Sequence, residues 1–187
     1  MKFLVTGLGN IGSEYAHTRH NIGFDILDAL AGASNISFKD QRYGFYAEIK
    51  HSGRIYCLLK PSTYVNLSGN AVRYYLQKLK LPVDRLLVVA DDLALPFGTI
   101  RIRAKGGDAG HNGLANINQM LGTSNYARLR FGIGNDFGRG QQVDFVLGEW
   151  QEEEKNILPE RISLANDAIL SFGKLGVQRT MNLYNNK

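Results

Sequence analysis

Hydrophobic and polar positions along the chain change period several times, and each change marks an element. Lys2 to Thr6 is a short apolar run at the start of the chain, read as a first β-strand. It delivers a glycine-rich turn, Gly7-Leu8-Gly9-Asn10-Ile11-Gly12. Residues 13–20 lack helical periodicity. A helical stripe of Ile22, Ile26, Leu27 and Leu30 then begins, with Asn21 in the place of an N-cap. Residues 45–51 and 54–60 read as two strands joined by Ser52-Gly53, a hairpin signal. Val72, Tyr75, Leu76 and Leu79 give helical spacing over residues 70–79. The continuous run Leu86–Ala90 predicts a strand buried on both faces, ending at Asp91-Asp92.

The second half is read the same way. Residues 99–105 alternate, so Arg101, Arg103 and Lys105 fall on one face of a strand. A glycine-rich loop over residues 106–113 leads into a short helix closed by Gly122. Arg128 to Gly134 is another alternating strand, with Arg128 and Arg130 on one side. Glu152-Glu153-Glu154 places acids at a helix start, and Pro159 is expected to restart that helix. Its apolar stripe is Ile162, Ala165, Ile169, Leu170 and Phe172, and a last short helix covers 178–184. Strands alternating with helices predict an α/β fold: a single domain with a central, mixed, mostly parallel twisted sheet flanked by helices on both faces.

Composition narrows the classes. A chain of 187 residues fits one domain spanning 1–187. With 44% hydrophobic and 21% charged residues, it reads as an ordinary globular protein. No apolar run approaches the length of a membrane span, and the N-terminal segment is too short for a signal peptide. The expectation is a cytoplasmic protein with no membrane partner. Cys57 is the only cysteine, which excludes an internal disulfide and a Cys-rich zinc site. It lies in a strand pattern and reads as an inert core thiol. The net charge is +5, and acids balance bases from Gln151 onward, so the whole excess sits in the first 150 residues. Such a bias permits a nucleic-acid partner without requiring one.

Candidate chemistry centres on Thr18-Arg19-His20-Asn21. His is the side chain whose ordinary pKa suits proton transfer near neutrality. The glycine turn spells G-x-G-x-x-G, but a dinucleotide site needs a helix to begin inside that loop, and none is predicted there. A nicotinamide oxidoreductase is therefore disfavoured. Asp91 or Asp92, at the end of a buried strand, occupies the position where open α/β sheets keep function; a loop-capping acid is the plain alternative. Asn66 read alone is a turn or capping residue. No G-x-S-x-G elbow suggests a serine esterase.

Taken together, Gly7-Leu8-Gly9-Asn10, Tyr15 with Thr18-Arg19-His20-Asn21, Asn66-Leu67-Ser68-Gly69, Asp91-Asp92-Leu93 with Leu95-Pro96, and Gly110-His111-Asn112-Gly113-Leu114 resemble bacterial peptidyl-tRNA hydrolase. Order and spacing match from the first strand through Trp150. The resemblance implies an esterase that cleaves a peptide from the 3′ end of tRNA, with peptidyl-tRNA as partner, no metal, no cofactor and a monomeric state. It implies that His20 is the general base on water and that Asp91 orients it. Asn10, Tyr15, Asn66, Asn112 and His111 would hold the substrate or support the loop around it. Arg101, Arg103, Lys105 and Arg130 would take tRNA phosphates. Ile11, Ala90, Ala94, Ala109 and Ala115 depart from the commonest family pattern, and Ala115 removes a cation that could touch tRNA. A binding protein of the same fold acts on RNA without catalysis; the joint presence of His20, Asp91, Asn10, Asn66 and Asn112 favours an enzyme. His20 and Asp91 are expected about 3 Å apart. The crevice is expected at the C-terminal ends of strands 2–6 and 86–90, with the helices after Glu152 packed against it or partly covering it.

Overall fold

The computed structural model describes residues 1–187. In chain order the elements are β1 (Lys2–Gly7), α1 (Ile22–Ala33), β2 (Lys39–Gln41), β3 (Gly44–His51), β4 (Arg54–Pro61), α2 (Ser68–Leu79), β5 (Leu86–Asp92), β6 (Ile100–Arg103), α3 (Asn112–Leu121), β7 (Ala127–Gly132), α4 (Gln142–Val146), α5 (Glu152–Leu175) and α6 (Val177–Tyr184). One seven-stranded sheet has the order β2-β3-β4-β1-β5-β7-β6. The central strands β4, β1, β5 and β7 run parallel, whereas β2, β3 and β6 pair antiparallel at the two margins.

The two-residue period of a strand sends alternate side chains to opposite faces, and here both faces are covered. Phe3, Val5, Leu87 and Val89 enter a core shared with α1 and α5. Leu4, Leu86 and Val88 enter a second core shared with α2 and α3. The hairpin turns at Ser52-Gly53, both with positive φ (51° and 75°), the conformation that a two-residue connection between twisted strands requires. At the far margin the chain closes its own open edge. The Asn185 side chain accepts from Ile102 N (2.6 Å) and donates to Ile102 O (3.1 Å), imitating a further strand.

Three expectations need correction, and one element was not foreseen. The helix from Glu152 is unbroken through Pro159. Proline removes a donor to the carbonyl four residues back, that of Lys155; Lys155 and Pro159 are both exposed, so water can take that carbonyl. Asn21 does not cap α1 with its side chain. β6 ends at Arg103, so strand periodicity does not place Lys105 on the arginine face. Helix α4, only five residues long, was not anticipated.

The glycine turn does not start a helix, because α1 begins only at Ile22. Its glycines serve close approach instead. A Cβ on Gly7 would lie 2.7 Å from the carbonyl carbon of Gly23, and one on Gly23 would lie 2.5 Å from Leu8 N. Glycine at both places lets the end of β1 touch the first turn of α1. That contact brings the loop carrying His20 over the C-terminal ends of β1 and β5.

Candidate active site

Asp91 stands at the end of β5, with a side chain only 4% exposed, between two imidazoles. His20 Nδ1 lies 2.8 Å from its Oδ2, and His111 Nε2 lies 2.8 Å from its Oδ1. An ionised carboxylate only accepts, so both ring nitrogens carry protons toward it. The other nitrogen of His111 is also committed. Its Nδ1 accepts from Gly113 N (3.1 Å) and Leu114 N (3.4 Å), capping α3. An imidazole that donates at one nitrogen and accepts at the other is neutral. The hydrogen bonds thus assign His111 a fixed tautomer and the role of a spacer between the α3 N-terminus and Asp91. For His20 the same reasoning puts the proton on Nδ1 and the lone pair on Nε2.

These contacts set the electrostatics. Burial lowers the His20 pKa, but the hydrogen bond to Asp91 and that carboxylate's charge outweigh it, and the net shift is upward from 6.5. Burial pushes the Asp91 carboxyl up, yet the bracketing imidazoles hold it well below the usual carboxylate range. Asp91 is therefore ionised throughout the range in which His20 titrates.

His20, Asp91 and His111 also place three ligand-type atoms within 4.8 Å of one another. Their hydrogen bonds argue against a metal there. Binding one would require His111 to give up its Nε2 proton, and its Nδ1 cannot receive it without losing both backbone donors of the α3 cap.

A cavity of about 390 Å³ opens beside this trio, lined by His20, Asp91, His111, Asn112 and Arg130 together with Gln142, Val143 and Val146 of α4. The wall expected from the helices after Glu152 therefore comes from α4 instead. Helix α5 packs into the α1-side core and reaches the site only through Glu154, whose Oε1 accepts from Arg19 Nη2 at 3.2 Å.

The remaining expected residues are arranged around the cavity rather than all inside it. Asn10 lines a separate pocket of about 260 Å³ with Ile11 and Asn21. Its Oδ1 accepts from Val65 N (2.8 Å), which leaves its Nδ2 as the donor for a ligand. Asn66 is exposed in the single 3₁₀ turn Val65–Leu67 and caps nothing, since α2 starts at Ser68 without a side-chain cap. Asn112 is exposed in the first turn of α3. Tyr15 is half-buried, and its ring meets that of Tyr64 edge-on at 6.4 Å.

Arg101 lies directly opposite Arg130, and Arg103 opposite Arg128, across the β6–β7 pair. Arg128 is fully buried, spending its guanidinium on Gly107 O, Ser124 O and Tyr126 O. Arg130 bonds Gly107 O (2.9 Å) and lies 3.6 Å from Asp92. Arg101 is half-buried, while Arg103 and Lys105 are exposed.

The parts of five residues escaped the sequence reading. Asn21 holds Asn10 in place by a reciprocal pair, accepting from Asn10 N (2.8 Å) and donating to Asn10 O (2.9 Å). Asn116 accepts from Gly69 N (2.7 Å) and so ties α3 to the start of α2, next to Asn66. Its one signal was the four-residue interval from Asn112 on the same helix. Tyr64 presents a 54% exposed ring beside Tyr15. Arg19 and Glu154, separated by 135 positions, left no signal in spacing.

Comparison with known proteins matches residues 4–187 to the family model described as Peptidyl-tRNA hydrolase. The chain belongs to that family. A peptidyl-tRNA hydrolase of Phocaeicola vulgatus is 61% identical over 187 residues, covering 100% of each chain, and one of Bacteroides fragilis is 58% identical over the same span. The crystal structure of peptidyl-tRNA hydrolase from Acinetobacter baumannii is 34% identical with a TM-score of 0.91, over 98% of this chain and 94% of that one. The α/β fold with its mixed sheet is thus the family's fold, and the oxidoreductase suggested by the glycine spacing falls away.

Proposed function

We propose that this chain hydrolyses the ester joining a peptide to the 3′ end of tRNA, with His20 as general base on water. One observation carries the reading: Asp91 accepts a hydrogen bond from the Nδ1–H of His20, which holds the proton on that nitrogen and leaves the Nε2 lone pair on a ring that lines the cavity. Water gives a proton to Nε2 as its oxygen bonds to the ester carbonyl carbon. The carbonyl becomes an oxyanion, for which the Asn10 Nδ2 donor and the exposed amides of Asn66 and Asn112 are the available neutral donors. Collapse breaks the bond to the ribose 3′ oxygen, which receives the proton from the imidazolium. Asp91 stabilises that cation in the interval. Tyr15 and His111 support the substrate side of the site. No covalent nucleophile is needed, because the leaving group is an alcohol rather than an amine.

Below the His20 pKa the base is lost. The test is the pH dependence of kcat/KM for an N-blocked aminoacyl-tRNA. The expected acid limb falls about tenfold per pH unit and lies above the 6.5 of an ordinary imidazole, as the upward shift requires. A rate independent of pH through that region would remove His20 as the base.

Arg101, Arg103, Lys105 and Arg130 are assigned to tRNA phosphates. Like charges placed directly opposite across a strand pair repel, and a polyanion relieves that repulsion. The double substitution Arg101→Ala/Arg103→Ala is expected to raise KM roughly tenfold, leave kcat within about twofold, and flatten the salt dependence of binding by about one unit for each phosphate no longer neutralised. An unchanged salt slope would take these residues out of the interface.

We also assign one functional domain spanning 1–187, acting as a cytoplasmic monomer. Two cores share one sheet, no helix is long and apolar enough to cross a membrane, and the sheet's β6 edge is closed by the chain's own C-terminal residues.

A further inference from the structure

His20 sits in a 3₁₀ turn, Arg19–Asn21, with neither strand nor regular helix to hold it. The opposite wall of the cavity, α4, is barely more than one turn long, lacks a side-chain cap and leaves Val143 66% exposed. Two such loosely built elements need a tie, and Arg19 supplies it. Its backbone N donates to Gly148 O at 3.0 Å. Its Nη1 donates to Phe145 O at 3.1 Å, one of the α4 C-terminal carbonyls. Its Nη2 donates to Glu154 Oε1, which also accepts from Gln151 N in the capping box of α5. The guanidinium lies 4.2 Å from the Phe145 ring centroid and 5.7 Å from that of Trp150. Thr18 and Glu149 add a backbone bridge alongside.

We propose that Arg19 is a positioning residue of the reaction, a clamp that holds the His20 turn at a fixed distance from the α4 wall by way of the α5 N-terminus. The inference rests on the reading of His20 as the base. The chemistry calls for arginine in particular. A planar fork can bond a carbonyl and a carboxylate in different directions while offering its face to an aromatic ring; a lysine ammonium keeps the charge and loses the fork. The clamp also accounts for the glycine at 148. A Cβ at Gly148 would lie 3.0 Å from Arg19 Nη1 and 3.0 Å from Asp144 O, so the guanidinium or the α4 backbone would have to shift slightly to admit it. Because a displacement of about 1 Å at a reacting group can cost on the order of 100-fold in rate, the clamp acts on kcat.

The experiment compares Arg19→Lys, Gly148→Ala and Glu154→Gln with the wild type. It measures steady-state kinetics on N-blocked aminoacyl-tRNA, affinity for deacylated tRNA, and the His20 pKa by NMR. Arg19→Lys is expected to lower kcat by roughly 10- to 100-fold with KM and tRNA affinity within about threefold, and to bring the His20 pKa down as its bond to Asp91 loosens. Gly148→Ala should do the same to a smaller degree, and it carries the test if Arg19→Lys does not fold. Glu154→Gln keeps an acceptor for Nη2 but loses the charge that faces the guanidinium, so it should lower kcat less than Arg19→Lys does, in the same direction. A lowered melting temperature with wild-type kcat and an unshifted His20 pKa, in both Arg19→Lys and Gly148→Ala, would leave Arg19 a purely structural residue and overturn the inference. Turnover that survives His20→Ala would instead remove the base itself, which separates the two failures.

Discussion

His20→Ala is expected to lower kcat by about 10³- to 10⁴-fold while KM and affinity for deacylated tRNA stay within a few fold. The size follows from what the side chain does. General base catalysis contributes about 10²- to 10⁴-fold in a well-placed case, and this base is placed by a 2.8 Å bond to a buried carboxylate. No second group can take over without reorganisation: His111 has both ring nitrogens engaged, one with Asp91 and one with the α3 backbone. The small effect on binding follows from His20 being a single ring on the cavity wall, apart from the arginine face proposed to take phosphates. His20→Gln keeps a polar side chain of similar reach and should lose nearly as much, because an amide cannot accept and then return a proton. Near-wild-type turnover in both variants would place the base elsewhere.

The elements that the pattern made legible are those whose burial is regular. β1 and β5 send alternate residues to two cores, so they read as continuous apolar runs. The hairpin was legible through Ser52-Gly53, because few residue pairs accept two positive φ values in succession. What stayed hidden has physical reasons of its own. Helix α4 is too short to show a period; Phe145 and Val146 pack against the core, and Arg19 adds a bond to the Phe145 carbonyl. Pro159 looks like a break, yet a proline on the exposed side of a long helix leaves only one carbonyl for water. Asn21 had the residue type of a cap and serves as a clamp on Asn10 instead.

The site was legible in a similarly divided way. His20, Asp91 and the three asparagines came from a likeness in residue order, and the structure brings His20 and Asp91 to the expected distance. His111 was legible as a substrate or loop-supporting residue, but its cap and its bond to Asp91 were not, because histidine is not among the usual helix-capping residues and the contact joins the end of one strand to the start of a helix 20 positions later. Ala109, which stands where the family often has glycine, takes φ 52° in the loop just before His111, a strained angle for a side chain with a Cβ.

The fixed state of His111 makes Asp91→Asn a sharper test of the mechanism than removal of the base. A carboxylate accepts two imidazole protons; an amide accepts with its oxygen and donates with its nitrogen, so one imidazole must reverse. If His111 reversed, its Nδ1 would be protonated against Gly113 N and Leu114 N, and the α3 cap would be lost. Losing a side-chain cap costs about 1 kcal/mol, and facing buried donors against each other adds about 1–3 kcal/mol. Reversing His20 only moves its proton from Nδ1 to Nε2, where the ring borders the cavity and water can accept. His20 therefore yields, Nε2 becomes a donor, and the lone pair needed by the attacking water is gone. Asp91→Asn is expected to lower kcat about 10²- to 10³-fold with the fold and tRNA affinity retained. The double variant Asp91→Asn/His111→Asn should then recover at least about tenfold of that loss. Asparagine is a competent N-cap, needs nothing from residue 91, and frees the new amide to turn its oxygen toward His20. A double variant no faster than Asp91→Asn alone would show that charge, not tautomer, is what Asp91 supplies.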